Sequence, residues 1–244
     1  MYSYIYDEFL QDRRYERDLA VLETRLTDLG IMGKVTRLAL FRDGLDIIRD
    51  EVSGGVDTIV AVGNDQTLRR TIEAVGESKT VIGYLPVGGK NILADLLGIP
   101  SGAEACEVLS ARLVQDIDVG EVNSRRFFHV AEAEGTGLVL HCDNSYVLTA
   151  NGKINFSIRN LAFPDNAGIA DPTDGRLTIV LRHPRLSLFR KREDVSKIHI
   201  KKARLYAERH VRMLVDGEEI QAKEFDIRSI PGQLRLVMGK DRKF

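Results

Sequence analysis

Cysteine, proline and histidine are scarce, at two, six and five residues in a chain of 244. Cys106 and Cys142 form no metal-ligand spacing, so the expectation is two reduced thiols in a core. His129, His141, His183, His199 and His210 show no ligand spacing either and receive no role. The charges almost cancel, with 35 basic against 36 acidic residues and a net charge of −1, which removes any global electrostatic case for a nucleic-acid partner. No apolar run reaches the length of a membrane span. Met1 to Arg14 contains aromatics and acids but no signal-peptide pattern, so the cytoplasm is the expected compartment. There is no low-complexity tract and no internal repeat.

What is present is ordinary globular material: 43% hydrophobic and 29% charged residues, enough for one large or two small domains. The first half alternates strand and helix patterns. Residues 2 to 6 read as a strand, and Leu19, Leu22, Leu26 and Leu29 form a helical stripe closed by Gly30. Val35 to Phe41 reads as a second strand. Asp43 is a candidate N-cap for a helix burying Leu45, Ile48 and Val52, stopped at Gly54-Gly55. Thr58 to Val62 is apolar and β-branched enough for a buried parallel strand, and a helix carrying Leu68, Ile72 and Val75 follows. A strand at Thr80 to Leu85, a short helix from Asn91 to Leu97 and a helix from about Ala103 to Val114 complete the series. Such alternation implies a parallel sheet with right-handed crossovers.

After about Asp118 the pattern changes to short alternating runs. They include Phe127 to Ala133, Gly137 to Cys142, Leu177 to Leu181, Val211 to Val215 and Leu234 to Met238. Turn residues separate them at Gly135, Asn151-Gly152, Asp174-Gly175 and Asp216-Gly217. The expectation is an α/β domain over 1–117 and a β-rich domain over 118–244, joined by a composition shift at Asp116 to Gly120, with the last strands free to return to the first domain.

Two turns carry chemistry. Ala61-Val62-Gly63-Asn64-Asp65-Gln66-Thr67 ends a strand, turns at one glycine and opens a helix. Ligands of α/β proteins bind at the carboxyl ends of such strands, where helix N-termini offer unpaired N–H groups to phosphate. Leu85-Pro86-Val87-Gly88-Gly89-Lys90-Asn91-Ile92 repeats the strand-to-helix arrangement.

These stretches resemble the diacylglycerol kinase catalytic-domain family, which includes sphingosine kinases and bacterial lipid kinases and shares a superfamily with NAD kinase. Gly63, Asp65 and Thr67 match its Gly-Gly-Asp-Gly-Thr signature, with Asn64 and Gln66 replacing two glycines. Residues 85–94, with Leu97-Gly98-Ile99-Pro100 after them, resemble its Pro-Leu-Gly-Thr-Gly-Asn-Asp stretch. Asp171-Pro172-Thr173-Asp174-Gly175 and Asp216-Gly217-Glu218 are similar to two motifs of its second domain. The family's Asn-Pro after the first strand is absent. Asp7-Glu8-Phe9-Leu10-Gln11-Asp12 stands there, and its acids read as a solvated helix start.

The resemblance implies a parallel-sheet α/β nucleotide domain followed by an antiparallel β-sandwich. It implies ATP- and Mg²⁺-dependent phosphoryl transfer to a lipid hydroxyl, with a nucleotide and a lipid at a membrane surface as partners. Gly63, Asn64, Asp65, Thr67, Gly88, Gly89, Lys90, Asn91 and Glu218 would meet the nucleotide. Asp65 would hold Mg²⁺ or accept a proton, Asp216 would act as base from the second domain, and Asp171 and Asp174 would bind Mg²⁺. A homodimer stays open. So do other readings: a degenerate domain that binds a nucleotide or partner without catalysis, and an NAD-kinase-like enzyme. On spacing alone, both Asp-Gly pairs are hairpin turns, Gly63-Asn64-Asp65 is a turn with an N-cap, and Gly88-Gly89 is a loop.

Overall fold

The computed structural model describes residues 1–38, 44–89, 91–143, 145–165, 168–185 and 192–244. Phe41, Asp43 and Lys90 lie outside the described residues. The chain divides into two compact units, one of Met1–Ile117 with Leu234–Lys243, the other of Asp118–Gln233 with Phe244.

In the first unit β1 (Tyr2–Tyr6), β2 (Lys34–Arg37), β3 (Thr58–Gly63) and β4 (Val81–Pro86) run parallel in the order β2-β1-β3-β4. Arg235 and Leu236 add a further parallel neighbour to β4. Every residue of β3 and β4 is buried, as expected for central strands covered on both faces. The helices are α1 (Glu16–Asp28), α2 (Gly44–Ser53), α3 (Asp65–Val75), α4 (Ile92–Leu96) and α5 (Glu104–Ala111). Gly83 lets α5 approach β4, because a Cβ there would lie 2.6 Å from Leu109 Cδ1. At the far end of the chain, a methyl on Gly239 would overlap the Gly98 carbonyl, and Gly239 N–H donates to Leu97 O at 2.9 Å. That close backbone crossing holds residues 234–243 against the end of α4.

Glu51 ties α2 to the sheet. Its carboxylate accepts from Ser3 Oγ at 3.0 Å, Thr36 Oγ1 at 3.2 Å and Lys34 Nζ at 2.5 Å. Burial works to raise its pKa, but the bonds from Lys34 and Ser3 outweigh it and hold the group below its ordinary value. A depressed carboxylate stabilises above its unfolded pKa and loses that contribution as pH falls through its folded one. Glu51→Gln should therefore lower the urea midpoint at pH 7, and the gap to wild type should close as pH falls through the depressed folded pKa. A gap of the same size at acid pH would contradict this assignment.

The second unit is antiparallel. β7 (Val130–Cys142), β8 (Tyr146–Arg159), β11 (Leu177–Arg185), β12 (Arg192–Ile200), β13 (Lys202–Val215) and β14 (Glu218–Val237) pair in the order β12-β11-β8-β7-β13-β14. β5 (Val114–Val122) pairs with β6 (Arg125–Phe127) and β14, and β9 (Ala162–Asp165) with β10 (Gly168–Ala170). Phe127, Phe156, Met213 and Phe225 belong to one buried cluster. The chain thus has the fold class the sequence implies, parallel α/β first and antiparallel β second.

Details differ from the sequence reading. The composition shift at Asp116 to Gly120 falls inside β5. Asn151-Gly152 is no turn: it lies within β8, where the register with β7 slips between Thr136 and Leu138. A positive-φ glycine serves a bulge as well as a turn, and Gly152 sits at φ 98°. Cys106 and Cys142 are buried free thiols, and burial pushes both up to about 11. Among the described residues no helix is long and apolar enough to cross a membrane.

Candidate functional site

The β3–α3 turn is built as a capping box. Gly63 enters it at φ 153°, and Asn64 Oδ1 accepts from Gln66 N–H at 2.9 Å and Thr67 N–H at 3.2 Å. In return Thr67 Oγ1 accepts from Asn64 N–H at 3.1 Å. The Thr67 hydroxyl donates to Asp7 Oδ2 at 2.7 Å, and Asp7 N–H donates to Val62 O at 3.0 Å. Asp7 is therefore not the solvated acid its neighbours suggested. It is buried at the end of β1 and locks that strand to the turn. The residues after it form two short 3-10 turns, Glu8–Gln11 and Arg13–Tyr15, instead of opening a long helix.

Asp65, the first residue of α3, points at the neighbouring turn. Its Oδ2 accepts from Leu93 N–H at 3.0 Å and its Oδ1 from the Tyr84 hydroxyl at 3.2 Å. Leu93 is the second residue of α4, so Asp65 caps that helix from outside. Asn91, at the cap position of α4, makes no cap bond, and its Oδ1 is buried with no partner. Burial, and then the adjacent Asp65 charge, push the Tyr84 hydroxyl far above its ordinary value, so it stays a proton donor. Tyr84 was missed by sequence reasoning: a single aromatic in a strand signals packing, and only the fold sets its hydroxyl against Asp65.

Gly88 and Gly89 follow β4, both in the left-handed region at φ 76° and 71°. Nothing lies within 4 Å of where a Gly89 side chain would stand, whereas Gly88 packs on Phe9 and Tyr15, which meet edge to face at 5.3 Å. Val87 N–H donates to Gly63 O at 2.7 Å and joins the two turns. The first unit thus brings Gly63, Asn64, Asp65, Thr67, Gly88, Gly89 and Asn91 into one region. The open space at Gly89 and an orphaned amide oxygen suit a phosphate-bearing ligand. The start of α3 does not, because Asn64 already occupies its Gln66 and Thr67 amides.

The second-unit candidates have structural partners. Asp216 sits at φ 48° in the β13–β14 hairpin, followed by Gly217 at φ 92°. Its carboxylate accepts from Phe128 N–H at 2.7 Å, His129 N–H at 3.1 Å and Val130 N–H at 2.9 Å. Both oxygens are engaged by backbone amides, so the carboxylate also has a structural role beside the one the resemblance implies. Glu218 pairs with Arg125 at 2.5 Å. Asp171 accepts from the Thr173 amide and hydroxyl at 2.9 and 2.6 Å, and Asp174 from Arg176 N–H at 2.8 Å, both as local turn bonds. Among the described residues no group of three His, Cys, Asp or Glu is arranged to hold a metal ion. The buried Asp118, also absent from the sequence reading, accepts from Gly175 N–H at 2.6 Å and Gly232 N–H at 2.8 Å. Burial raises its pKa against those bonds, with Asp174 and Asp171 adding to the rise.

Residues 5–122 match the diacylglycerol kinase catalytic domain. A probable YegS-like lipid kinase of Pseudomonas aeruginosa is 35% identical over 91 residues, 36% of this chain and 30% of that protein. A diacylglycerol kinase of Bacillus subtilis is 30% identical over 79 residues, 31% of this chain and 26% of that protein. The match thus spans less than a third of either relative's length. In fold, a diacylglycerol kinase from Bacillus anthracis str. Sterne has a TM-score of 0.83 at 15% identity, covering 99% of this chain and 97% of that one. An NAD kinase from Archaeoglobus fulgidus, solved in complex with ATP, has a TM-score of 0.62 at 14% identity, covering 100% and 96%. Over residues 5–122 the chain is thus similar to the diacylglycerol kinase catalytic domain and to bacterial lipid kinases, and as a whole it shares the fold of solved diacylglycerol and NAD kinases.

Proposed function

We propose that the chain is a cytoplasmic lipid kinase, transferring the terminal phosphoryl group of ATP to the hydroxyl of a lipid alcohol such as diacylglycerol. The observation that carries this reading is Asp65. It is fixed by Tyr84 and Leu93 in the same unit as the open Gly89, with lone pairs to spare on both oxygens. Gly88, Gly89 and Asn91 would hold the nucleotide phosphates. Asp65 would take the acceptor's hydroxyl proton as the acceptor oxygen bonds to phosphorus and the bond to the diphosphate breaks. Mg²⁺ would neutralise phosphate charge. The chain offers it no cage of three ligands among the described residues, so it would arrive on the nucleotide. The acceptor class is supported by an apolar cavity of about 200 Å³ inside the second unit, lined by Leu138, Leu148, Phe156, Ile179 and Ile198 among others. Its mostly aliphatic lining favours an apolar guest.

The test is transfer from radiolabelled ATP with Mg²⁺ to a panel of diacylglycerol, sphingoid base and other lipid alcohols. Labelled lipid is expected. If no acceptor is labelled while ATP still raises the melting temperature, the second reading stands, a domain that binds a nucleotide without catalysis. One observation favours it: Asn64 fills the α3 amides that a glycine would leave to phosphate. Asn64→Gly should therefore tighten nucleotide binding by about tenfold, the worth of one charge-assisted hydrogen bond, at only a few tenths of a kcal/mol in cap stability. Calorimetric titration with ATP decides it, and weaker binding by the variant would show that Asn64 itself holds the ligand.

A further inference from the structure

Two turns of the second unit are clamped into one tip. The β7–β8 connection carries Asp143, whose Oδ1 accepts from Lys201 N–H at 3.0 Å and Lys202 N–H at 2.9 Å in the β12–β13 connection. Asp143 N–H returns a bond to Lys202 O at 3.0 Å. The carboxylate is thus bound by amides, leaving both lysine side chains exposed. Lys202 has no ion-pair partner among the described residues. Beside the same clamp β8 begins with Tyr146 and Val147, 39% and 54% exposed, two of the few large apolar residues of the unit that face solvent. Their row assignments differ. Tyr146 pairs with Cys142 on the buried face, and Val147 with His141 on the exposed one. The tip therefore presents apolar surface from both faces of the strand end, next to free ammonium groups.

The next residues in each strand lead inward. Leu148 follows Val147 directly, Ile198 precedes Lys201 by three positions, and both line the apolar cavity. A solvent-exposed apolar pair flanked by lysines is the composition that anionic bilayers bind, the apolar groups entering the acyl boundary and the cations meeting headgroups. A nucleic acid would use the lysines but gain little from Val147. We infer that the tip formed by Asp143, Tyr146, Val147, Lys201 and Lys202 is a docking surface for an anionic lipid bilayer, set beside the cavity into which a lipid would pass. The cavity's use rests on the lipid-kinase reading, whereas docking at the tip does not.

The experiment is co-sedimentation of the full chain with phosphatidylcholine vesicles, with and without 30% phosphatidylglycerol, and it uses no nucleotide. Wild type should bind the anionic vesicles and not the neutral ones, with affinity falling steeply with salt. Lys201→Gln/Lys202→Gln should weaken binding by about thirtyfold, and Val147→Asp should weaken it further at unchanged lysine charge. Because the amides and not the ammonium groups hold Asp143, the melting temperatures should stay at the wild-type value, which separates lost docking from lost folding. Wild type that ignores anionic vesicles at low salt overturns the inference, as does undiminished binding by the variants. Equal affinity for double-stranded DNA, unaffected by Val147→Asp, would assign the lysines to a nucleic acid instead. A chain that docks but transfers no phosphate would leave the docking surface standing and remove the kinase reading alone.

Discussion

Asp65→Asn is expected to cut phosphoryl transfer by roughly 10²–10⁴-fold while leaving the fold intact. The asparagine keeps the local architecture. Its oxygen can cap Leu93 N–H in place of the carboxylate's, and the Tyr84 hydroxyl, a donor and an acceptor in one group, can reverse and accept from the new amide. What it cannot do is take a proton. Asp65→Ala tests less cleanly, because two structural losses accompany the chemical one. Removing an N-cap costs about 1 kcal/mol, and the buried Tyr84 hydroxyl left without its acceptor adds roughly 1–3 kcal/mol. The comparison is therefore threefold: transfer rate, melting temperature, and ATP affinity by calorimetry. The asparagine variant should match wild type in the second and remain close in the third. If it keeps more than about a tenth of wild-type turnover, another group accepts the proton and the assignment of Asp65 fails.

The order of elements was legible because its signals are local. Thr58 to Val62 is short, apolar and β-branched enough for a buried strand, and Gly63 and the helical stripe after it marked the turn. The later hairpins announced themselves through Asp-Gly pairs, and Asp216-Gly217 forms such a turn with both residues at positive φ. What remained illegible depends on distant partners. Asp7 reads as a surface acid beside Glu8, yet Thr67, 60 positions away, supplies the hydroxyl that justifies its burial. Asn151-Gly152 carries a turn's composition, but β8 continues through it by a bulge, the two residues standing opposite Gly137 alone on β7. The candidate site shows the same division. Asp65 and the Gly88–Gly89 pair could be named from the sequence. That Asp65 would cap the wrong helix, and that Asn64 would fill the amides of the right one, are properties of packed neighbours and leave no periodic trace.

Asp216, expected from the resemblance as a base, also holds a structural junction together. Three consecutive amides, from Phe128, His129 and Val130, converge on its carboxylate, and Asp216 N–H donates to Val130 O at 2.9 Å. The side chain thus closes the segment between β6 and β7 onto the β13–β14 hairpin. Phe128 beside it is almost fully buried, so water cannot simply replace the lost acceptor. Asp216→Ala should destabilise the protein by roughly 3–5 kcal/mol, since each hydrogen bond to a charged group contributes about 1.5–3 kcal/mol and three share one acceptor. For a chain of this length that is a drop of about 10 °C in melting temperature. Alanine at φ 48° adds backbone strain, whereas asparagine tolerates that region and retains one oxygen. Asp216→Asn should therefore fall between the two in stability. A catalytic base would behave in the opposite way: the asparagine variant would melt like wild type and lose its turnover. Measuring melting temperature and transfer on the same preparations separates the two roles. A stable, inactive Asp216→Asn protein would return Asp216 to the chemistry.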